Sequence, residues 1–298
     1  MDTLRRKPNL RKARRRVQMR SALLLTLGAC ALVSAMRMLL AAVPVPYGVG
    51  FLLESMAALL AFGGSAYLGL CVLDGDHSRI VPMRTLSRAQ ILWLSLLGVL
   101  AVFPVLFVSE LMLALAGNAA AGDAQVMPSA RFAAMIVKSV LLVPLCEEVF
   151  FRGYLLHALE RCGRLRAAVM VSLCFALVHT LAPAQMVGCV LLSLLLCWMM
   201  LHTQSILAPV IVHAAYILTL ILLESMGLAG LFTGWSMIAC ALRLALCALF
   251  AAVLRRAYTA RRERSAFVLW AGGKLTRKET VLVCAAALLL LLTLVTGG

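Results

Sequence analysis

Residues 131–159 read RFAAMIVKSVLLVPLCEEVFFRGYLLHAL. The stretch is apolar for most of its length, and at about 1.5 Å per residue it is long enough to cross a hydrocarbon layer of about 30 Å as a helix. Yet it carries Glu147, Glu148 and Arg152. An ionisable group deep in a membrane helix costs ~2.5–3.5 kcal/mol on insertion scales, and such groups face one another or a wet cavity. Reading this stretch as a span therefore settles the fold class and also marks where chemistry should be sought.

The rest of the chain agrees. Of its 298 residues 63% are hydrophobic and only 13% charged, with a mean hydropathy of +1.00. Soluble domains are about 45–50% apolar and about 25% charged, so a water-soluble enzyme, a disordered chain and a secreted disulfide scaffold are poor fits. The ten Cys lie mostly inside apolar stretches, where free Cys behaves as a small hydrophobe, and no CxxC pair or Cys/His cluster points to a zinc module. Apolar runs predict nine candidate spans, near 21–43, 48–73, 90–116, 131–159, 167–181, 185–201, 206–226, 232–254 and 280–296, the fifth of them short. Pro44-Val45-Pro46, Gly117-Asn118, Pro183 and Gly227 to Gly230 fall where turns are needed. The expected architecture is all-α: a polytopic membrane helix bundle of about eight to nine transmembrane helices with a polar catalytic cavity within the bilayer. Its parts are a basic tail over 1–20, helices over 21–130, a core over 131–226, and helices over 227–298 that include a basic loop at 255–279.

The charge distribution predicts an orientation. The segments 1–20, 74–89, 160–166, 202–205 and 255–279 hold 23 of the 28 Lys and Arg, whereas the alternate connections hold none. By the positive-inside rule the N-terminus is cytoplasmic; the expected setting is a multi-pass protein of a bacterial cytoplasmic membrane. The net charge of +16 and the tail Arg5, Arg6, Lys7, Arg11, Lys12, Arg14, Arg15, Arg16 and Arg20 suggest nucleic acid by composition alone. Their place directly before a span favours contact with anionic membrane lipid instead, with no nucleic-acid partner. Leu27-Gly28-Ala29-Cys30 resembles a lipoprotein cleavage box, but the apolar run continues to Val43, as an uncleaved span does.

Among the acids, Glu54, Glu110 and Glu224 fall near outer span ends, where water is close. Glu147 and Glu148 lie roughly 18–20 Å into their span. His179 lies at about 18 Å and His213 at about 10 Å in two other spans. Glu148 and Arg152 are i,i+4 neighbours, the spacing at which opposite charges meet on a helix. Glu147 points about 100° away, free of that partner. A carboxylate held between desolvation and a nearby cation suits general-base work. The plainer alternative is that both Glu simply pair with Arg152 and Lys138. His77 in a loop, His157 near a cytoplasmic end and His202 at a span end are expected to meet water or headgroups.

These residues resemble the motifs of the CAAX-protease and bacteriocin-processing (Abi) family of intramembrane endopeptidases. The first motif stands as Glu147-Glu148-Val149-Phe150-Phe151-Arg152, followed by Gly153-Tyr154-Leu155. The second stands as Phe175-Ala176-Leu177-Val178-His179, and the third as Ser205-Ile206-Leu207-Ala208-Pro209-Val210-Ile211-Val212-His213. The resemblance covers about 131–226. It departs at one place: the family usually has Asn or Asp four residues after the second His, where this chain has Ile217, with Tyr216 and Thr219 the polar groups nearby.

The resemblance implies peptide-bond hydrolysis without a covalent acyl-enzyme, on a membrane-associated or prenylated-like peptide or protein substrate. Glu147, helped by His179, activates water, His213 donates to the oxyanion, and Glu148, Arg152 and Phe175 support them. An oxyanion donor is worth ~2.7–4 kcal/mol, so Ile217 bears directly on activity. The sequence commits to no cofactor. A zinc ion would take Glu147, His179 and His213 as three ligands with an open fourth position, although no HExxH is present. Two alternatives remain: an inactive relative serving as membrane scaffold or peptide-immunity factor, and a proton-coupled transporter, which also uses buried Glu and His but lacks here an evident inverted repeat. The depth of the polar groups suggests a substrate arriving from the cytoplasmic side or laterally from lipid.

Overall fold

The computed structural model describes residues 3–72, 80–115, 129–179, 183–228 and 236–262. They form eight helical runs and, among the described residues, no strand. We number these α1 (Thr3–Ala42), α2 (47–72), α3 (Arg88–Leu115), α4 (129–159), α5 (Arg164–His179), α6 (Pro183–Thr203), α7 (Leu207–Ser225) and α8 (Met237–Arg262). Six are long and apolar enough to cross a membrane: Ser21–Ala42 of α1, Gly48–Cys71 of α2, α3, Gln185–Thr203 of α6, α7, and Met237–Arg256 of α8. Large apolar side chains such as Leu24, Met38, Leu92 and Leu115 stand open on the outside. With no water to satisfy exposed backbone in a bilayer, a helical bundle with such a surface is a membrane architecture. The protein is an integral multi-pass membrane protein.

The spans expected at 131–159 and 167–181 differ from the other six for physical reasons. α4 is a chain of short pieces, with π-turns at Val137–Leu142 and Val149–Leu155 around the α-helical Val143–Glu148. Pro144 has no N–H for a ladder bond and its ring crowds the preceding turn, and the wider turn just before it relieves both. π-turns inside helices gather at functional sites, and these two bracket the glutamates. α5 is described over 16 residues, Arg164–His179, so this histidine is the last of its described residues. α1 runs unbroken from Thr3, so residues 3–20 of the tail are helical and continuous with the first span. The candidate span 280–296, His77 and most of the loop 255–279 lie outside the described residues.

α3 is the hub, with α6, α7 and α8 packed on it. Gly98 permits the closest of these approaches: a Cβ there would come within 2.4 Å of the Val212 carbonyl oxygen. Small residues at such crossings let membrane helices approach through their backbones. This central position also corrects the expectation for Glu110, which lies near a span end yet is only 7% exposed because neighbouring helices cover α3. A second core gathers Phe62, Phe150, Phe151, Tyr154 and Phe175 where α1, α2, α4 and α5 meet. Gly69 seats there against the Tyr154 ring, which an added Cβ would approach to 2.5 Å. Together the two cores fix α4, α5 and α7 around one point.

Candidate active site

Glu147 and Glu148 are successive residues with different company. On one side, Glu148 Oε1 accepts from Arg152 Nη1 at 2.9 Å and from His213 Nδ1 at 2.8 Å. Arg152 Nη2 also donates to Ser193 Oγ at 2.9 Å and to the Ser193 carbonyl at 3.4 Å. Glu148, Arg152 and Ser193 are buried, and His213 is 2% exposed. Three helices, α4, α6 and α7, contribute to this cluster. Ser193 was not singled out in the sequence, although a small polar residue in the middle of the apolar α6 is a visible signal.

On the other side, Glu147 Oε1 faces His179 Nε2 at 3.5 Å. His179 Nδ1 lies 2.8 Å from the Phe175 carbonyl oxygen. A carbonyl only accepts, so Nδ1 is the donor and carries the proton. A neutral His179 ring then turns a lone pair toward Glu147, and two acceptors face each other. The pair must share a proton or meet across a water that donates to both. Phe175 organises the whole site: its ring stacks on His179 with centroids 4.0 Å apart, meets His213 edge-on at 5.8 Å, and lies 4.7 Å from the Arg152 guanidinium.

Glu147, His179 and His213 line a common cavity of about 760 Å³. Glu147 therefore turns inward to polar partners and not outward to lipid. The cavity extends between α1 and α2 as far as Leu40, Ala41 and Val45, toward the connection made by Pro44-Val45-Pro46. This is the end opposite Ser21 of α1 and Arg164 of α5. On the orientation predicted from the charges that end is the outer one.

The alternative pairing of the glutamates with Lys138 does not occur, because Lys138 pairs with Glu54 across the cavity. Ile217 lines the cavity four residues beyond His213, so an apolar side chain faces the space where the third motif usually places an amide. Tyr216 is buried outside that lining, and Thr219 spends its hydroxyl on the Ala215 carbonyl at 2.7 Å. Neither takes the amide's place. As for zinc, among the described residues no group of three or more His, Cys, Asp or Glu is arranged to hold a metal ion. No step is drawn through one.

Residues 129–219 match the family model described as type II CAAX prenyl endopeptidase Rce1-like. The match includes every group of the two clusters, and over that segment the resemblance to the CAAX-protease family holds. It excludes α1, α2, α3 and α8. No curated protein and no solved structure matches the chain.

Proposed function

We propose that the protein is an intramembrane endopeptidase that hydrolyses a peptide bond of a membrane-associated substrate with a water activated by Glu147 and His179. The observation that carries this reading is the 3.5 Å approach of Glu147 Oε1 to His179 Nε2 at the wall of a cavity. A water at the apex of that pair donates one O–H to the carboxylate and one to the imidazole lone pair, and turns its own lone pairs into the cavity. General-base assistance of this kind contributes about 10²–10⁴ in rate.

With Nδ1 donating to Glu148, a protonated His213 has Nε2–H left to donate to the developing oxyanion. Water oxygen then bonds to the scissile carbonyl carbon, and its proton passes to Glu147–His179. From there it reaches the leaving nitrogen as the C–N bond breaks, giving a free carboxylate and an amine. The substrate enters along α1 and α2 from the outer side of a bacterial cytoplasmic membrane, or laterally from lipid. Its partners in the reading are lipid and peptide, with no cofactor required.

The test is cleavage of a broad peptide library by the purified, reconstituted protein. Wild type cuts a subset, while Glu147→Ala and His179→Ala of equal folded yield cut none. Absence of turnover from wild type would overturn the endopeptidase reading in favour of a non-catalytic scaffold.

A further inference from the structure

A second cavity, of about 650 Å³, lies between α3, α6 and α8 and shares no described lining residue with the first. Two of its three walls, α3 and α8, lie outside the segment that carries the family match. Ala101 on α3 and Ala251 on α8 are small enough to leave the space open. Apart from Arg255 and the Trp198 indole, its described lining side chains carry no polar group. Arg255 comes last of them along α8, next to the end of the membrane span at Arg256. Arg256 in turn lies over the Trp93 ring of α3, 5.7 Å from its centroid. Both guanidiniums sit where the basic segment 255–279 begins. On the orientation predicted from the charges this is the cytoplasmic surface.

Depth decides what such a cavity accommodates. Trp93 marks the level of the surface end on α3. The wall from Ala101 to Val105 lies eight to twelve residues further along that helix, about 12–18 Å at 1.5 Å per residue. Half of a hydrocarbon core of about 30 Å is about 15 Å. The groove therefore runs from one membrane surface to the bilayer middle, the reach of one acyl chain in one leaflet. It is open toward lipid, because α8 is the least buried of the six spans and Leu191 on the α6 wall is exposed.

An apolar slot one leaflet deep with a guanidinium at its surface end is complementary to a phospholipid with a negative headgroup. The planar fork of an Arg matches phosphate oxygens in two-pronged fashion, and basic pockets between membrane helices on the cytoplasmic side bind such headgroups. We propose that the groove between α3, α6 and α8 is a binding site for an anionic phospholipid of the cytoplasmic leaflet, with an acyl chain along Trp198 and Phe250 and the phosphate on Arg255. The lipid seats α8 against the hub helix α3. The site is separate from the cavity of Glu147 and does not depend on peptide hydrolysis.

The probe is phosphatidylglycerol brominated on its acyl chains, compared with phosphatidylcholine brominated in the same way, since bromine quenches an indole that it touches. Full-length protein carrying Trp93→Phe, Trp235→Phe and Trp270→Phe keeps Trp198 as its one indole, and is placed in phosphatidylcholine nanodiscs with a minor fraction of either probe. Half-quenching is expected at about five-fold less phosphatidylglycerol than phosphatidylcholine, as about 1 kcal/mol for one Arg near a membrane surface implies. Arg255→Gln removes the preference and Arg255→Lys keeps part of it. Arg164→Gln, which removes an exposed cation on another helix, leaves it unchanged. Ala251→Phe fills the slot without touching the charge and lowers quenching by phosphatidylglycerol. The unfolding midpoint of each variant is the control for folding. Equal quenching by the two lipids, a preference that survives Arg255→Gln, or quenching unaltered by Ala251→Phe overturns the proposal. So does a preference lost equally in Arg164→Gln, which would mean diffuse surface attraction, or displacement by inorganic phosphate, which would assign the site to a free anion. Quenching by neither lipid also overturns it, because another part of the chain would then fill the groove.

Discussion

The two faces of α4 make the sharpest contrast in the molecule. On one face Glu148 is fully enclosed and shared between Arg152 and His213 at 2.9 and 2.8 Å. On the other, one residue earlier, Glu147 stands 3.5 Å from a histidine that is 28% exposed, on the wall of a cavity. Identical side chains on adjacent positions thus receive opposite roles from geometry alone. The dry face joins α4, α6 and α7 through short charge-assisted hydrogen bonds on Glu148 Oε1 and Arg152 Nη2. The cavity face keeps a looser pair that is open to the cavity.

The largest effect that separates the faces is on rate. Glu147→Gln is expected to lower cleavage by about 10²–10⁴ while the thermal unfolding midpoint in detergent stays near that of wild type. A Glu147→Gln protein that unfolds early would show that this face also carries structure and would erase the contrast. Next in size is Arg152→Ala, which leaves Glu148 buried with His213 alone. Removing one partner of a buried ion pair costs about 3–5 kcal/mol, to be read as a lost or strongly lowered unfolding transition, and a fully stable Arg152→Ala protein would contradict the structural role.

Ile217→Asn sharpens the comparison from the cavity side. An added amide beside His213 is expected to raise turnover, with the ~10²–10³ of a full oxyanion donor as the ceiling, and unchanged or lower turnover would mean that the donor set is already complete. Smallest is Lys138→Gln. Its pair with Glu54 is partly open, and such pairs contribute about 0–1 kcal/mol. The unfolding midpoint should therefore move little, in contrast to Arg152, the ion pair on the dry face.

The two faces were legible in the sequence to different degrees. The i,i+4 spacing of Glu148 and Arg152 is a local property, and the distance between them follows from helix geometry whatever packs outside. Membrane character followed just as directly from composition and from long apolar runs. The partner of His213 did not, because whether it meets Glu147 or Glu148 depends on how α7 rotates against α4, which close approaches such as Val212 over Gly98 help to set. Ser193 was missed for a related reason: it is one polar residue in an apolar helix, and its meaning appears only when a distant helix supplies Arg152. That α1 and α2 build much of the cavity wall was not legible, because they carry no motif. The π-turns of α4 have no clear sequence signature beyond Pro144.

The account stands on Glu147 and His179 acting as one unit upon one water, and a double-mutant cycle of turnover measures that coupling directly. Groups that act together are strongly non-additive when removed. The rate of Glu147→Gln/His179→Ala should equal that of the worse single variant within a few-fold. Losses that multiply across the two positions, or a His179→Ala protein that cleaves at the wild-type rate, would contradict it.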